Sequence, residues 1–186
     1  LNKEQTDFEF SFDLTSPARR YRDLSTGNGD VIFFEMPEWD WGDLGNQVEA
    51  TREIMTGGEV YIAARKKGRD QSYFDDIVSK RIAALLGYHY GFADFNSDGE
   101  WLKKTYDIYL TTSHTTNIRI MLKDRVDITV VTEAFLRRFL NANPDHKDRV
   151  LISDKRDQTY SLKAIVRKGG PISAAGLEKL LDKIKE

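Results

Sequence analysis

An α/β fold is what this sequence predicts, and three observations carry that expectation. From about residue 81 short apolar runs alternate with amphipathic stretches, in the order "YDIYLTT", "HTTNIRIMLKD", "VDITVVT" and "EAFLRRFLNAN". A β-α-β-α series of this kind builds a mostly parallel sheet with helices on both faces. The run "GDVIFFE" is nearly all apolar, the mark of a strand buried on both faces. The 186 residues are 40% hydrophobic and 31% charged, an ordinary soluble balance for one large domain or two small lobes.

The elements follow in chain order. In "DFEFSFDL" the alternation of Phe8, Phe10 and Phe12 predicts a strand. Pro17 suits the first turn of a helix in "PARRYRDLSTG", and Gly27 suits its end. After "GDVIFFE" the stretch "MPEWDWGDLGNQ", with Pro37, Gly42 and Gly45, reads as an irregular loop. "EVYIAARKKG" is a strand that ends in a basic turn. "RIAALLGYHYG" has helix-like composition, but it is short and Gly87 follows at once, so a buried strand is expected. A helix around "DGEWLKKT" precedes the alternating series. The helix in "EAFLRRFLNAN" gathers Phe135, Leu136, Phe139 and Leu140 on one stripe. Strands "RVLIS" and "TYSLKAIVRKG" come next, and a closing helix "SAAGLEKLLDKIKE" puts Leu177, Leu180, Leu181 and Ile184 on one face.

Several function classes lose support from composition. The net charge of −2 offers no bulk attraction to nucleic acid or an anionic membrane. Without cysteine there is no disulfide, thiolate chemistry or Cys-type zinc site. His89, His114 and His146 lack metal-ligand spacing, so no metal and no cofactor is expected. No apolar run approaches the roughly 18 residues of a membrane span, and "LNKEQTDFEF" has no signal-peptide character. "DFNSDG" (Asp94, Asn96, Asp98, Gly99) is either the first half of a calcium loop or a turn in which Asp98 caps a helix. Thr105 stands where a calcium loop needs its bidentate Glu.

In open parallel sheets ligands bind outside the carboxyl ends of the strands. The candidate positions are therefore Glu35 to Trp39, Gly87 to Tyr90, Thr111 to Ser113, and Thr132 with Glu133. Trp39 offers an aromatic wall or fills a core under the loop, as does Trp41. Glu35 and Glu38 are either a carboxylate pair or solvated loop residues. Tyr88 and His89 are candidates to reach a cleft, with a satisfied histidine the competing reading of His89.

Together, "YRDLSTGNGDVIFF", "EVYIAARKKG", "SKRIAALLGYHYG", "MLKDRVDITVV" and "SLKAIVRKG" follow an order that resembles the bacterial extracellular solute-binding proteins, family 3-like. These are the amino-acid-binding, type II periplasmic binding proteins of ABC transporters. The first motif matches the family's Ser-Gly-x-x-Asp turn into a strand. The fourth matches Leu-x-x-Gly-Arg-Val-Asp, with Asp124 where Gly is usual.

The resemblance implies a two-lobed Venus flytrap, each lobe a mostly parallel sheet flanked by helices. Lobe 1 would take residues 1–64 plus 158–186, and lobe 2 residues 65–157. Hinges are implied near Ala63 to Arg65 and Gln158 to Ser161. The family's first strand and helix should precede "DFEFSFD", so lobe 1 is expected to be truncated at its N-terminus.

The resemblance also implies a non-enzymatic, monomeric periplasmic protein, exported, with a small polar solute in the inter-lobe cleft and an ABC transporter permease as partner. Its ligand-binding residues would be Glu35, Trp39, Arg52, Gly87, Tyr88, His89, Tyr90, Thr112, Thr132 and Glu133. Arg52 would clamp a ligand carboxylate. Amino-acid-binding members commonly carry an aspartate five positions beyond the Asp of Arg-Val-Asp, and here that position is Thr132. Two alternatives on the same scaffold are a hydro-lyase resembling cyclohexadienyl dehydratase and the ligand-sensing domain of a membrane receptor.

Overall fold

The computed structural model describes residues 1–184. The chain divides into two compact units, one made of Leu1–Thr56 with Tyr160–Glu186 and the other of Gly57–Thr159. Two strands, β3 (Met55–Ala64) and β7 (Val150–Arg167), carry the chain across that division. β7 is a single strand where the sequence suggests two, because polar "DKRDQ" continues the extended backbone without a turn residue.

In the first unit, β1 (Val31–Glu35) and β2 (Val48–Ala50) both pair antiparallel with the end of β7. Alternation then sorts β7. Ala164 and Val166 pack with Leu177 and Leu180 of α5 (Ala174–Asp182), while Ile165 packs with Trp41 and with Leu24 of α1 (Arg20–Thr26). Gly27 ends α1 in the left-handed conformation, with φ 78°, which glycine adopts without steric cost. Ser173 caps α5 by accepting from the Gly176 N–H, and the last two residues of the predicted helix lie outside the described residues.

Two expectations fail here. β1 is not buried on both faces: the ladder is bulged between Phe33 and Glu35, and Phe34, at φ 65°, is turned to solvent. Asp7 to Asp13 forms no strand. The backbone of Phe8 is satisfied by the Gln5 side-chain amide and that of Phe10 by Asn2, each through two hydrogen bonds of 2.8 Å. Phe8 and Phe10 still pack on the α5 core, whereas Phe12 is 87% exposed. The alternation thus reports burial without strand pairing.

The second unit holds the parallel sheet. β4 (Ile82–Leu85) pairs in parallel with β5 (Ile108–Thr111) and with β6 (Ile128–Thr132), and β6 pairs antiparallel with β3. One face buries Tyr61, Ala63, Ile82, Ala84, Ile128 and Val130 against Leu102 of α2 (Gly99–Thr105). The opposite face buries Val60, Ile62, Ala83 and Val131 against α3 (His114–Leu122) and α4 (Glu133–Ala142). The all-buried reading of "RIAALL" holds for β4, every residue of which is buried. Asp98 caps α2, accepting from the Trp101 N–H at 2.7 Å, which is the turn reading of "DFNSDG". Among the described residues no group of three or more His, Cys, Asp or Glu is placed to hold a metal, and no helix is long and apolar enough to cross a membrane.

Two glycines permit close approach to β7. A Cβ at Gly58 would lie 2.7 Å from the Gln158 carbonyl oxygen, and one at Gly91 would lie 2.2 Å from that of Asp157. Both neighbours are backbone and cannot swing aside. Gly91→Ala is therefore expected to destabilise the fold by about 1–3 kcal/mol in urea unfolding. Gly29→Ala, with nothing within 4 Å of the added carbon, should stay within about 0.5 kcal/mol of the parent. Equal midpoints for the two variants would show that the β7 approach is slack.

Candidate functional site

Parallel pairing brings three strand ends together in the second unit. Leu85 is in register with Thr111, and the Leu86 N–H donates to the Thr111 carbonyl at 2.8 Å, so the turns after β4 and β5 start level. The end of β6 passes directly into α4.

At the end of β4, Gly87 turns the chain at φ 77° and Tyr88 is half-buried. His89 and Tyr90 are buried. Tyr90 is wholly enclosed, and its hydroxyl oxygen accepts from the Leu85 N–H at 2.7 Å. It is thus a core residue, contrary to its predicted ligand contact. Burial pushes its phenol well above the ordinary range.

At the end of β5, Thr112 is exposed and Ser113 caps α3, accepting from the Thr116 N–H at 3.3 Å. The Thr111 hydroxyl donates to Asn117 Oδ1 at 2.6 Å. At the end of β6, the Thr132 hydroxyl oxygen accepts from the Phe135 N–H at 3.2 Å, so this predicted contact residue is the cap of α4. Glu133 accepts two hydrogen bonds from the Arg156 guanidinium, at 2.8 and 3.1 Å.

One residue from each strand end joins an aromatic chain. His114 lies 6.1 Å from the Tyr88 ring, nearly perpendicular to it, and 4.9 Å from the Phe135 ring. Burial lowers the His114 pKa from 6.5 to about 4, so the imidazole is neutral at pH 7. The side-chain nitrogens His114 Nδ1 and Asn117 Nδ2 are buried and make no hydrogen bond within the chain. Sequence reasoning weighed His114 only for metal spacing and missed Asn117. Their signal was position: both lie in the first turn of the helix that follows a parallel strand.

A groove of about 970 Å³ runs along α4 between Leu136, Leu140 and Ile152, and its lining includes Glu133 and Arg156. The pairing geometry, rather than the size of this groove, marks the strand ends as the site.

The remaining predicted residues belong to the first unit. Glu35 is buried, accepts from Trp41 Nε1 at 2.9 Å and lies 3.4 Å from Arg20 Nε; burial pushes its carboxyl up against the pull of Arg20. Glu38 is exposed. Trp39 is half-buried, edge-on to Tyr160 at 5.5 Å. Arg52 ion-pairs with Asp182 of α5, and its N–H donates to Glu178. The guanidinium proposed as a ligand clamp is thus occupied by an intramolecular carboxylate.

No family model matches the chain, and no curated protein sequence matches it. Solved structures do. An ancestral arginine-binding protein bound to arginine superposes with a TM-score of 0.65 at 19% identity, over 94% of this chain and 74% of that one. An amino acid ABC transporter substrate-binding protein from Streptococcus pneumoniae, bound to L-arginine, gives 0.65 at 16% identity, over 93% and 69%. The GluR0 ligand-binding core in complex with L-glutamate gives 0.63 at 14%, over 89% and 71%. The chain has the type II periplasmic-binding-protein fold.

The neutral His114 sets a pH dependence. Its folded pKa is depressed, so the unfolded chain binds the extra proton first, and stability is lost as pH falls from 6.5 toward 4. The loss should be about 2–3 kcal/mol, allowing for partial exposure. His114→Gln should flatten the urea midpoint across that window. An unchanged slope would mean that His114 titrates normally in the folded protein.

Proposed function

We propose that this chain is a solute-binding protein of the periplasmic amino-acid-binding type, with its two compact units as lobes and a small polar solute held at the strand ends of the second unit. The observation that carries this reading is the convergence of Tyr88, His114 and Phe135, one from each of three adjacent strand ends, in a fold whose solved examples are named as binding proteins. Ligands in parallel α/β sheets sit at these ends. The protein acts as an exported monomer that hands its solute to an ABC transporter permease. Those names support a binder over a hydro-lyase.

The solute is small and polar, and it is not an ordinary α-amino acid. A desolvated ammonium needs a carboxylate, and leaving it without one costs several kcal/mol. At the head of α4 the expected aspartate is Thr132, whose oxygen caps the helix. Its neighbour Glu133 is matched by Arg156. The Gly87–Tyr88 turn, hydroxyls and aromatic edges remain as recognition elements.

A thermal-shift screen against amino acids, polyamines, sugars and organic acids tests both statements. Stabilisation by a non-amino-acid class is expected, about 2.7 kcal/mol at a hundredfold excess over the dissociation constant, and Tyr88→Ala should reduce it. No shift with any class overturns the binding reading. Micromolar calorimetric binding of a common amino acid, lost in Thr132→Val and kept in Glu133→Gln, overturns the solute class.

A further inference from the structure

We propose that Asp157 is a positioning residue for the strand-end site: its carboxylate clamps the loop after β4 onto β7, and protonation of that carboxylate releases the loop. This rests on the solute-binding reading and adds a control to the same site.

The clamp is made of three donors converging on one carboxylate. The Gly91 N–H donates to Oδ2 at 2.7 Å, the Phe92 N–H to Oδ1 at 2.9 Å, and the Tyr61 hydroxyl to Oδ1 at 2.5 Å. The next residue grips the same loop by its opposite polarity, since Gln158 Nε2 donates to the His89 carbonyl and, at 2.9 Å, to Glu59 Oε2. Gly91 lets the loop come this close, with no room for a Cβ beside the Asp157 carbonyl. The loop so held carries Gly87 and Tyr88, and the Tyr88 ring meets His114. Both clamp residues stand within three positions of Tyr160, where the chain leaves the second unit.

A carboxylate suits this arrangement and a carboxylic acid does not. Oδ1 holds two donors and Oδ2 one, so a proton is accepted most easily on Oδ2, which then stops accepting from Gly91. The charged and titratable groups around Asp157 are Tyr61 and Glu59 on β3, His89 and Tyr90 on the loop, and Arg156 on β7, itself paired with Glu133. Three hydrogen-bond donors, the Gly91 and Phe92 N–H groups and the Tyr61 hydroxyl, hold Asp157 ionised. Burial pushes its carboxyl up, and those donors pull it part of the way back. Protonation accordingly sets in at higher pH than for an ordinary carboxylate.

Amide hydrogen exchange on the full chain, corrected for intrinsic rates and followed from about pH 8 to pH 4, reads the clamp without any solute. Gly91 and Phe92 should lose protection as pH falls, while the amides of Ile128 to Val131 keep theirs. In Asp157→Asn the Gly91 amide should exchange at least roughly tenfold faster, the worth of about one hydrogen bond to a charged group, and without the pH step. Tyr61→Phe removes a donor that favours the ionised form, so the step should move to higher pH. Exchange at Gly91 that ignores both substitutions, or a step unmoved in Tyr61→Phe, overturns the proposal. If Asp157→Asn fails to fold, the Tyr61→Phe midpoint decides alone. Because no solute enters the measurement, a failed solute screen leaves the clamp standing, and a failed clamp leaves the solute reading standing.

Discussion

In the second unit β3 and β7 approach so closely that only glycine fits at position 58, and beside that contact lies a carboxylate that solvent does not reach. Glu59 is wholly buried, and its Oε2 accepts from Gln158 Nε2 at 2.9 Å. A buried polar group that loses its partner costs about 1–3 kcal/mol, so the register of β3 against β7 is fixed more tightly than apolar packing alone would fix it. Ser153 adds to this by accepting from the Tyr61 N–H at 3.0 Å and donating to the Lys155 carbonyl. Slippage by one residue would leave these groups unpaired and turn every side chain of β3 to the wrong face.

The rest of the second unit inherits its positions from that register. Glu59 stands opposite Thr132, which sets where β6 stops and α4 begins. Ile82 stands opposite Ile128, and Leu85 opposite Thr111, so the ends of β4 and β5 follow in turn. The aromatic chain Tyr88, His114 and Phe135 is thus the far consequence of a polar contact two strands away. Rigid elements carry the site, and the single long turn in it is tied down by Asp157 and Gln158.

Much of this was legible in the sequence, because hydrophobic period and turn residues act locally. The helices at His114–Leu122 and Glu133–Ala142 and the buried strand Ile82–Leu85 follow from pattern alone. What failed depends on partners distant in sequence. The Phe8, Phe10, Phe12 alternation cannot reveal that Asn2 and Gln5 side chains, rather than a neighbouring strand, satisfy the backbone. The bulge that turns Phe34 outward is a property of the ladder with β7 and not of "VIFFE". At the site, strand-end position places Tyr88 in the turn after β4 and Glu133 at the start of α4. It could not say that Tyr90 folds back under its own strand, or that Arg52 is claimed by Asp182, 130 residues away. The partners of polar groups are the least local feature of a fold, and they are what decides whether a candidate residue is free to act.

The charges at the strand ends are matched within the chain, and under the proposed binding role that would limit what could be recognised there. Glu133 and Arg156 satisfy each other through two hydrogen bonds, so a cationic solute gains Glu133 only by displacing a guanidinium of equal charge. Such an exchange is close to neutral for a half-exposed pair. His114 brings no charge at pH 7, because a proton on its enclosed ring would lose hydration without gaining a carboxylate. The helix starts at His114 and Glu133 contribute partial positive charge from their first N–H groups, and the Ser113 and Thr132 oxygens already offset part of it. Under the proposed binding role, selection at such a surface would rest on dipoles, ring edges and shape, which discriminate by the hydrogen bonds a solute leaves unmade. Discrimination of that kind would demand a loop held in one place, and three donors on Asp157 tie the loop after β4 to β7.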